Sequence, residues 1–306
     1  MAVPMKFLEK YSMLVLIVGV LGVSVSAIFV RFAEGPSVVL AAWRLLWSAL
    51  LLAPTTLLKK ETRDELFHIN KKTLLISCAA GVFLAFHFIL WFESLNHTSV
   101  ASSTALVNTE VIWVSIGFCL VLRGKLSWKA ILAIAVAFFG SILITLSDSA
   151  EGGGHLYGDI LATLAAMAAA IYMLTSRVTR KTTSTTVYTC ILYTATATTL
   201  VLISLLQGEN LFAYGWNPVL VGLALAVFST IMGHSIFSWA MKFYAPSFVS
   251  ACKLCEPVVA AIIAIFAFGE VPGFLQVAGG LIIIGGVYYY SRLERAAEQA
   301  NSEEAA

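Results

Sequence analysis

The chain reads as an all-α polytopic membrane protein: ten transmembrane helices, arranged as two inverted five-helix repeats. Three observations predict this. The 306 residues are 59% hydrophobic and only 12% charged, with a mean hydropathy of +0.90, whereas soluble domains are about 45–50% apolar and about 25% charged. The apolar residues gather into stretches of membrane length. Residues 108–144 are also echoed by 254–290 at a constant offset of 146, which places Glu256 on Glu110, Phe274 on Trp128 and Gly286 on Gly140. The chain is an internal duplication.

Ten apolar segments follow in order, at 12–32, 37–58, 73–95, 99–122, 128–147, 158–177, 184–206, 217–241, 245–268 and 273–291. About twenty residues rising 1.5 Å each cross a hydrocarbon core about 30 Å thick. Lipid offers the backbone no hydrogen bonds, so segments this apolar must be helices. The first follows Lys6 and Lys10 as a signal-peptide core would, but its apolar run is longer and nine spans come after it, so it reads as retained. The repeats take 12–147 and 158–291, with a Gly-rich linker at 148–157 and a polar tail at 292–306. The loop KKETRDELFHINKK at 59–72 reads as a solvated basic loop that fixes topology, with room for a short amphipathic stretch.

Orientation follows from the basic residues. Lys6, Lys10, Lys59, Lys60, Arg63, Lys71, Lys72, Arg123, Lys125, Lys129, Arg177, Arg180, Lys181, Lys242, Arg292 and Arg295 all fall on one side of a ten-span chain. Only Arg31 falls on the other, and Arg44 and Lys253 lie within spans. Adding or dropping one span would scramble this bias, so both termini are expected to be cytoplasmic. Five spans per repeat is odd, so the second repeat must enter the membrane inverted. Glu110 and Glu256, each about eleven residues into its span, then meet at matching depth.

Composition excludes several classes. The net charge of +2 is too small to suggest nucleic acid. Five cysteines, all in apolar segments, do not form a disulfide framework. Cys252 and Cys255 have C-x-x-C spacing, but no second Cys or His pair lies nearby, so no metal or cofactor is expected. H-E-x-x-H, G-x-S-x-G and a nucleotide-binding loop are absent, which disfavours an intramembrane enzyme. A membrane receptor or assembly factor would offer a sizeable extramembrane domain, and no loop is long enough for one.

Charges near the middle of a span cost roughly 2.5–3.5 kcal/mol on insertion scales, so each needs a use or a partner. Four are present: Arg44, Glu110, Lys253 and Glu256. Their charges sum to zero, which suits a zwitterion such as an amino acid and equally suits four groups that pair with one another. Lys253 and Glu256, three residues apart, are placed to pair on one helical face. Glu110 has no basic neighbour on its own helix, which makes it the better candidate for protonation. His87 and His234 lie 147 apart at nearly matching places, followed by Trp91 and Trp239. Those aromatics suit either cavity walls or interfacial belts, and the runs at 165–170 and 279–286 suit close helix packing.

Several motifs in order resemble the EamA-type branch of the drug/metabolite transporter superfamily. The second repeat carries Gly158-Asp159, YMLTSR at 172–177, Glu256-Pro257-Val258, Gly269-Glu270, Gly279-Gly280 and Gly285-Gly286-Val287. The first carries Arg44 in AAWRLL and the run SLNHTSVASSTALVNTE at 94–110. The chain departs from the usual pattern at Val111, Arg123-Gly124 and Lys253. The resemblance, over about 12–291, implies a ten-helix secondary transporter of the inner membrane, monomeric or homodimeric and often an exporter of amino acids or related metabolites. Its central cavity would be lined by the first, third and fourth spans of each repeat. A multidrug transporter or an importer of the same fold is the alternative.

Overall fold

A computed structural model describes residues 12–98, 103, 106–148, 156–256, 258–259, 262–263 and 273–304. Their regular structure is helical. In order they form α1 (Ser12–Ser24), α2 (Ser26–Arg31), α3 (Ser37–Leu57), α4 (Lys60–Phe67), α5 (Lys71–His97), α6 (Glu110–Leu120), α7 (Trp128–Asp148), α8 (Leu156–Thr179), α9 (Thr185–Leu206) and α10 (Asn217–Ala224). A π-helical segment (Leu225–His234) joins α10 to α11 (Ser235–Ala240), and α12 (Pro246–Lys253) and α13 (Phe274–Glu304) follow.

Five continuous helical stretches are long and apolar enough to cross a membrane: Ser37–Leu57, Lys71–His97, Leu156–Thr179, Thr185–Leu206 and Asn217–Ala240. The shorter apolar helices Ser12–Ser24, Leu106–Leu120, Trp128–Leu143 and Val277–Leu293 accompany them. Of the linker expected at 148–157, Asp148 ends α7 and Leu156 and Tyr157 begin α8, while residues 149–155 lie outside the described residues, as do 269–272.

The departures from unbroken spans are specific. Val25 interrupts the first segment with a turn between α1 and α2. In the fourth segment a turn at Thr109 precedes α6, and in the ninth α12 stops at Lys253, with a turn at Leu254 and Cys255 before helix resumes at Glu256. The eighth widens to i→i+5 turns through the π segment. Beyond the last apolar residues, α13 runs on to Glu304 rather than ending at 291. The short helix α4 occupies the basic loop, where Glu65 accepts a hydrogen bond from the Ser184 backbone N–H at the start of α9, at 2.6 Å.

The two halves pack through each other rather than side by side. Helix α5 packs along α8, and its counterpart by offset, α1, packs on the π segment. Likewise α3 packs on α9, α6 on α12 and α7 on α13. Small residues permit the closest of these approaches, as the run at 279–286 predicts. A Cβ on Gly140 would stand 2.6 Å from the Gly279 carbonyl oxygen, and one on Gly286, at the equivalent position, 2.9 Å from the Ala137 backbone nitrogen. The crossing of α1 with the π segment is similar, since a Cβ on Gly22 would lie 2.6 Å from the Phe228 carbonyl. Without a hydrophobic force between helices in lipid, such backbone-to-backbone packing is a main source of their association.

Candidate functional site

Glu110 and Glu256 occupy equivalent points of the architecture. Each is the first residue of a helix that restarts directly after a turn within a membrane-length segment. Free N–H groups at such a start favour negative charge, and interrupted helices are where transporters place polar chemistry in lipid.

Their partners differ. Lys253 Nζ donates to Glu110 Oε2 at 2.6 Å, and Ser250 Oγ donates to Oε1 of the same carboxylate at 3.0 Å. The expected Lys253–Glu256 pairing along one helix is therefore corrected. The turn at Leu254 and Cys255 breaks the helical register, and the lysine reaches across to the other half of the molecule. Glu110 is accordingly not the unpaired carboxylate. Glu256 is, for among the described residues no hydrogen bond or ion pair reaches it, although Lys253, Glu110 and Arg44 act on it at longer range. The position equivalent to Lys253 in the first repeat is Val107, so the ion pair has no symmetric mate.

Arg44 is fully buried on α3, and hydroxyls receive its guanidinium. Nε donates to Thr230 Oγ1 and one terminal nitrogen to Ser229 Oγ, both at 2.8 Å, while the other terminal nitrogen stands 3.5 Å from Ser26 Oγ. Its Cζ lies 4.2 Å from the centre of the Phe88 ring, a cation–π contact. The π segment makes this cradle by setting Ser229 and Thr230 together toward Arg44 in its wide turns, and Tyr193 fixes it by donating from its hydroxyl to the Thr230 carbonyl at 3.2 Å. Such π segments are rare and occur often at functional sites.

Each histidine is buried and held by one ring nitrogen. His87 Nδ1 lies 3.0 Å from the Ala165 carbonyl; a carbonyl only accepts, so the proton sits on Nδ1 and Nε2 is left as an acceptor. His234 Nδ1 is 3.0 Å from the Tyr172 hydroxyl, with Phe88 edge-on at 5.4 Å between the two histidines. Trp91 stacks on His87 at 6.1 Å and 19°, buried, with no partner for its indole N–H. Trp239 goes elsewhere. It is half-buried and packs on Phe243 at 4.8 Å, so the two tryptophans do not share a site.

Arg44, His87, Trp91, Glu110, His234, Lys253 and Glu256 line one cavity of about 40 Å³. That holds on the order of three water molecules. Ser26, Asn108, Ser229 and Ser250 complete its polar lining. Sequence reasoning missed these four and Thr230, because a lone hydroxyl or amide in an apolar helix gives no directional signal. The Ser229-Thr230 doublet was the one available hint. Among the described residues no cluster of His, Cys, Asp and Glu is placed to hold a metal.

Hydrogen bonds join the halves at both ends of this cavity. On the side away from the basic loops, the Asn217 side chain donates to the Phe32 carbonyl at 2.9 Å and accepts from the Glu34 N–H at 2.8 Å, and Thr98 donates to Asp159 at 2.7 Å. At the other end, the Ser12 and Tyr244 hydroxyls meet at 2.5 Å.

A multi-pass membrane protein with a balanced set of charges gathered around one cavity, between two duplicated halves, fits the class of solute transporters. The sequence matches the EamA-like transporter family over residues 10–146 and again over 156–292. The chain belongs to that family, and is a membrane transporter of the drug/metabolite transporter type. It is 24% identical over 235 residues to an "uncharacterized transporter" of Archaeoglobus fulgidus, covering 76% of this chain and 78% of that one. It is 22% identical over 252 residues to the "uncharacterized transporter YxxF" of Bacillus subtilis, covering 82% and 80%. One solved crystal structure superposes with a TM-score of 0.77 over 94% of this chain and 99% of its own, at 16% identity, a likeness of fold alone.

Proposed function

We propose that the protein is a secondary transporter that exports small metabolites such as amino acids by alternating access, in the inner membrane, with both termini cytoplasmic. In this reading ten spans form two inverted repeats, at 12–147 and 158–291, and the halves rock about the cavity. The observation that carries it is the gathering of two cations and two carboxylates, summing to zero charge, around one cavity where the repeats meet. Groups so costly in lipid mark solute pathways by default, and a zwitterion entering a neutral site leaves it neutral. A cavity with room for about three waters holds only a very small solute, so larger cargo enters when the halves part. Parting on one side releases Asn217 from the loop at Phe32 and Glu34. Glu256, the carboxylate without an ion-pair partner, is the group able to take a proton and couple the movement to a pH gradient.

Purified protein in proteoliposomes should move at least one radiolabelled amino acid, faster with a pH gradient than without. Flux that ignores both the gradient and Glu256→Gln would remove the coupling; no flux of any small metabolite would remove the transport reading. Topology has its own check. Single cysteines placed in the loop at 59–72 and near residue 301 should react with impermeant reagent only from the cytoplasmic side, and reaction from opposite sides would overturn the ten-span count.

A further inference from the structure

Buried polar groups are almost always hydrogen-bonded, so a buried donor or acceptor left over is a statement about what it waits for. Around this cavity most groups are committed. Arg44 is taken up by Ser229 and Thr230, Glu110 by Lys253 and Ser250, His87 by Ala165 and His234 by Tyr172. Asn108 Nδ2 donates to Ser141 Oγ at 3.3 Å. Two lining groups stand out. The Trp91 indole N–H, on a side chain only 9% exposed, has no acceptor. The Glu256 carboxylate, half-buried on the cavity wall, has no donor among the described residues. One lacks an acceptor and the other lacks a donor, on walls of the same small cavity.

We propose that Glu256 and Trp91 are the cargo-recognition pair, Glu256 receiving the ammonium group and the Trp91 N–H a carboxylate oxygen of a small α-amino acid. Glu110, Lys253 and Ser250 form an internal clasp that cargo leaves in place. This rests on the transport reading and sharpens it, because it divides the four midplane charges by role. The clasp is neutral within itself, and Arg44 with Glu256 makes a second neutral set. A zwitterion preserves that balance, whereas an amine without a carboxylate leaves one extra positive charge at the middle of the membrane and a carboxylate without an amine one extra negative. The site therefore discriminates against both halves of its own ligand. Trp91 is a poor substitute for a cationic carboxylate partner, which keeps the hold on cargo weak enough for release.

The test uses the full-length protein in proteoliposomes and measures counterflow of radiolabelled alanine, serine, threonine and valine. Competitors are the decarboxylated amines and 2-hydroxy acids of matching side chain. Wild type should take up at least one of the amino acids, with amines and hydroxy acids competing at least about tenfold more weakly. Glu256→Gln and Trp91→Phe should each raise the half-saturating concentration at least about tenfold; Glu256→Gln should melt near wild type because it has no bond to lose, while Trp91→Phe should melt lower because the indole it removes packs on His87. Glu256→Asp, which keeps the charge, should recover part of the affinity. Equal competition by the amines, or unchanged half-saturation in both Glu256→Gln and Trp91→Phe, overturns the assignment. If wild type carries some other solute but none of these amino acids, this inference falls while the transport reading stands. If it carries nothing, both fall.

Discussion

Lys253→Met is expected to destabilise the folded protein by about 3–5 kcal/mol, as is usual when one partner of a buried ion pair is removed and the other charge is stranded. The stranded group would be Glu110, whose side chain is 4% exposed and whose remaining contact is Ser250. Glu110→Gln should act in the same direction, leaving Lys253 without the carboxylate it bonds at 2.6 Å. The two should not add. With both replaced, no charge is stranded, and buried ion pairs exchanged for neutral groups of similar size are often nearly neutral in stability. Melting of the purified protein in detergent, followed by tryptophan fluorescence, gives the double-mutant cycle directly. A double variant whose loss equals the sum of the single losses would show that the 2.6 Å contact is not what holds these helices together.

Gly286→Val is expected to disrupt packing where Gly285→Val does not, although the two residues are neighbours in one helix. A Cβ at 286 would sit 2.9 Å from the Ala137 backbone nitrogen and 3.0 Å from the Ala133 carbonyl, and backbone cannot move aside as a flexible side chain could. At 285 nothing lies within 4 Å. Overpacking of this kind costs about 1–3 kcal/mol and more where the neighbour is rigid. Gly140→Val, on the facing helix, should be as severe, since its Cβ would meet the Gly279 carbonyl oxygen at 2.6 Å. The readout is the fraction of protein that stays monodisperse on size exclusion after heating. Gly285→Val also controls for helix propensity, which improves at either site on losing a glycine. Equal loss at 285 and 286 would mean that α7 and α13 do not pack through these residues.

Much of the molecule was legible one residue at a time. Runs of apolar residues marked the membrane-length segments, the offset of 146 marked the duplication, and intramembrane charge marked Arg44, Glu110, Lys253 and Glu256, which the structure brings around one cavity with His87, His234 and Trp91. Hydropathy is a property of each position and survives without knowing its neighbours in space. The internal repeat likewise needs only the chain compared with itself.

Pairing was not legible in that way. Lys253 lies three residues from Glu256 in the chain and bonds to Glu110 instead. The cause is a two-residue turn that no local composition announces. Trp91 follows His87 by four residues and Trp239 follows His234 by five, and only Trp91 reaches the cavity. A step of four residues and a step of five do not point the same way from a helix, and the second helix has also just passed through a π turn. By itself, then, the sequence determined what kind of protein this is, which segments are apolar and of membrane length, and which side chains are too costly to be idle in lipid. Which of those side chains satisfy one another, and which are left open, only the tertiary structure decided. The physical reason is that burial cost belongs to a single residue, whereas a hydrogen bond needs two atoms from distant segments brought within 3 Å or so.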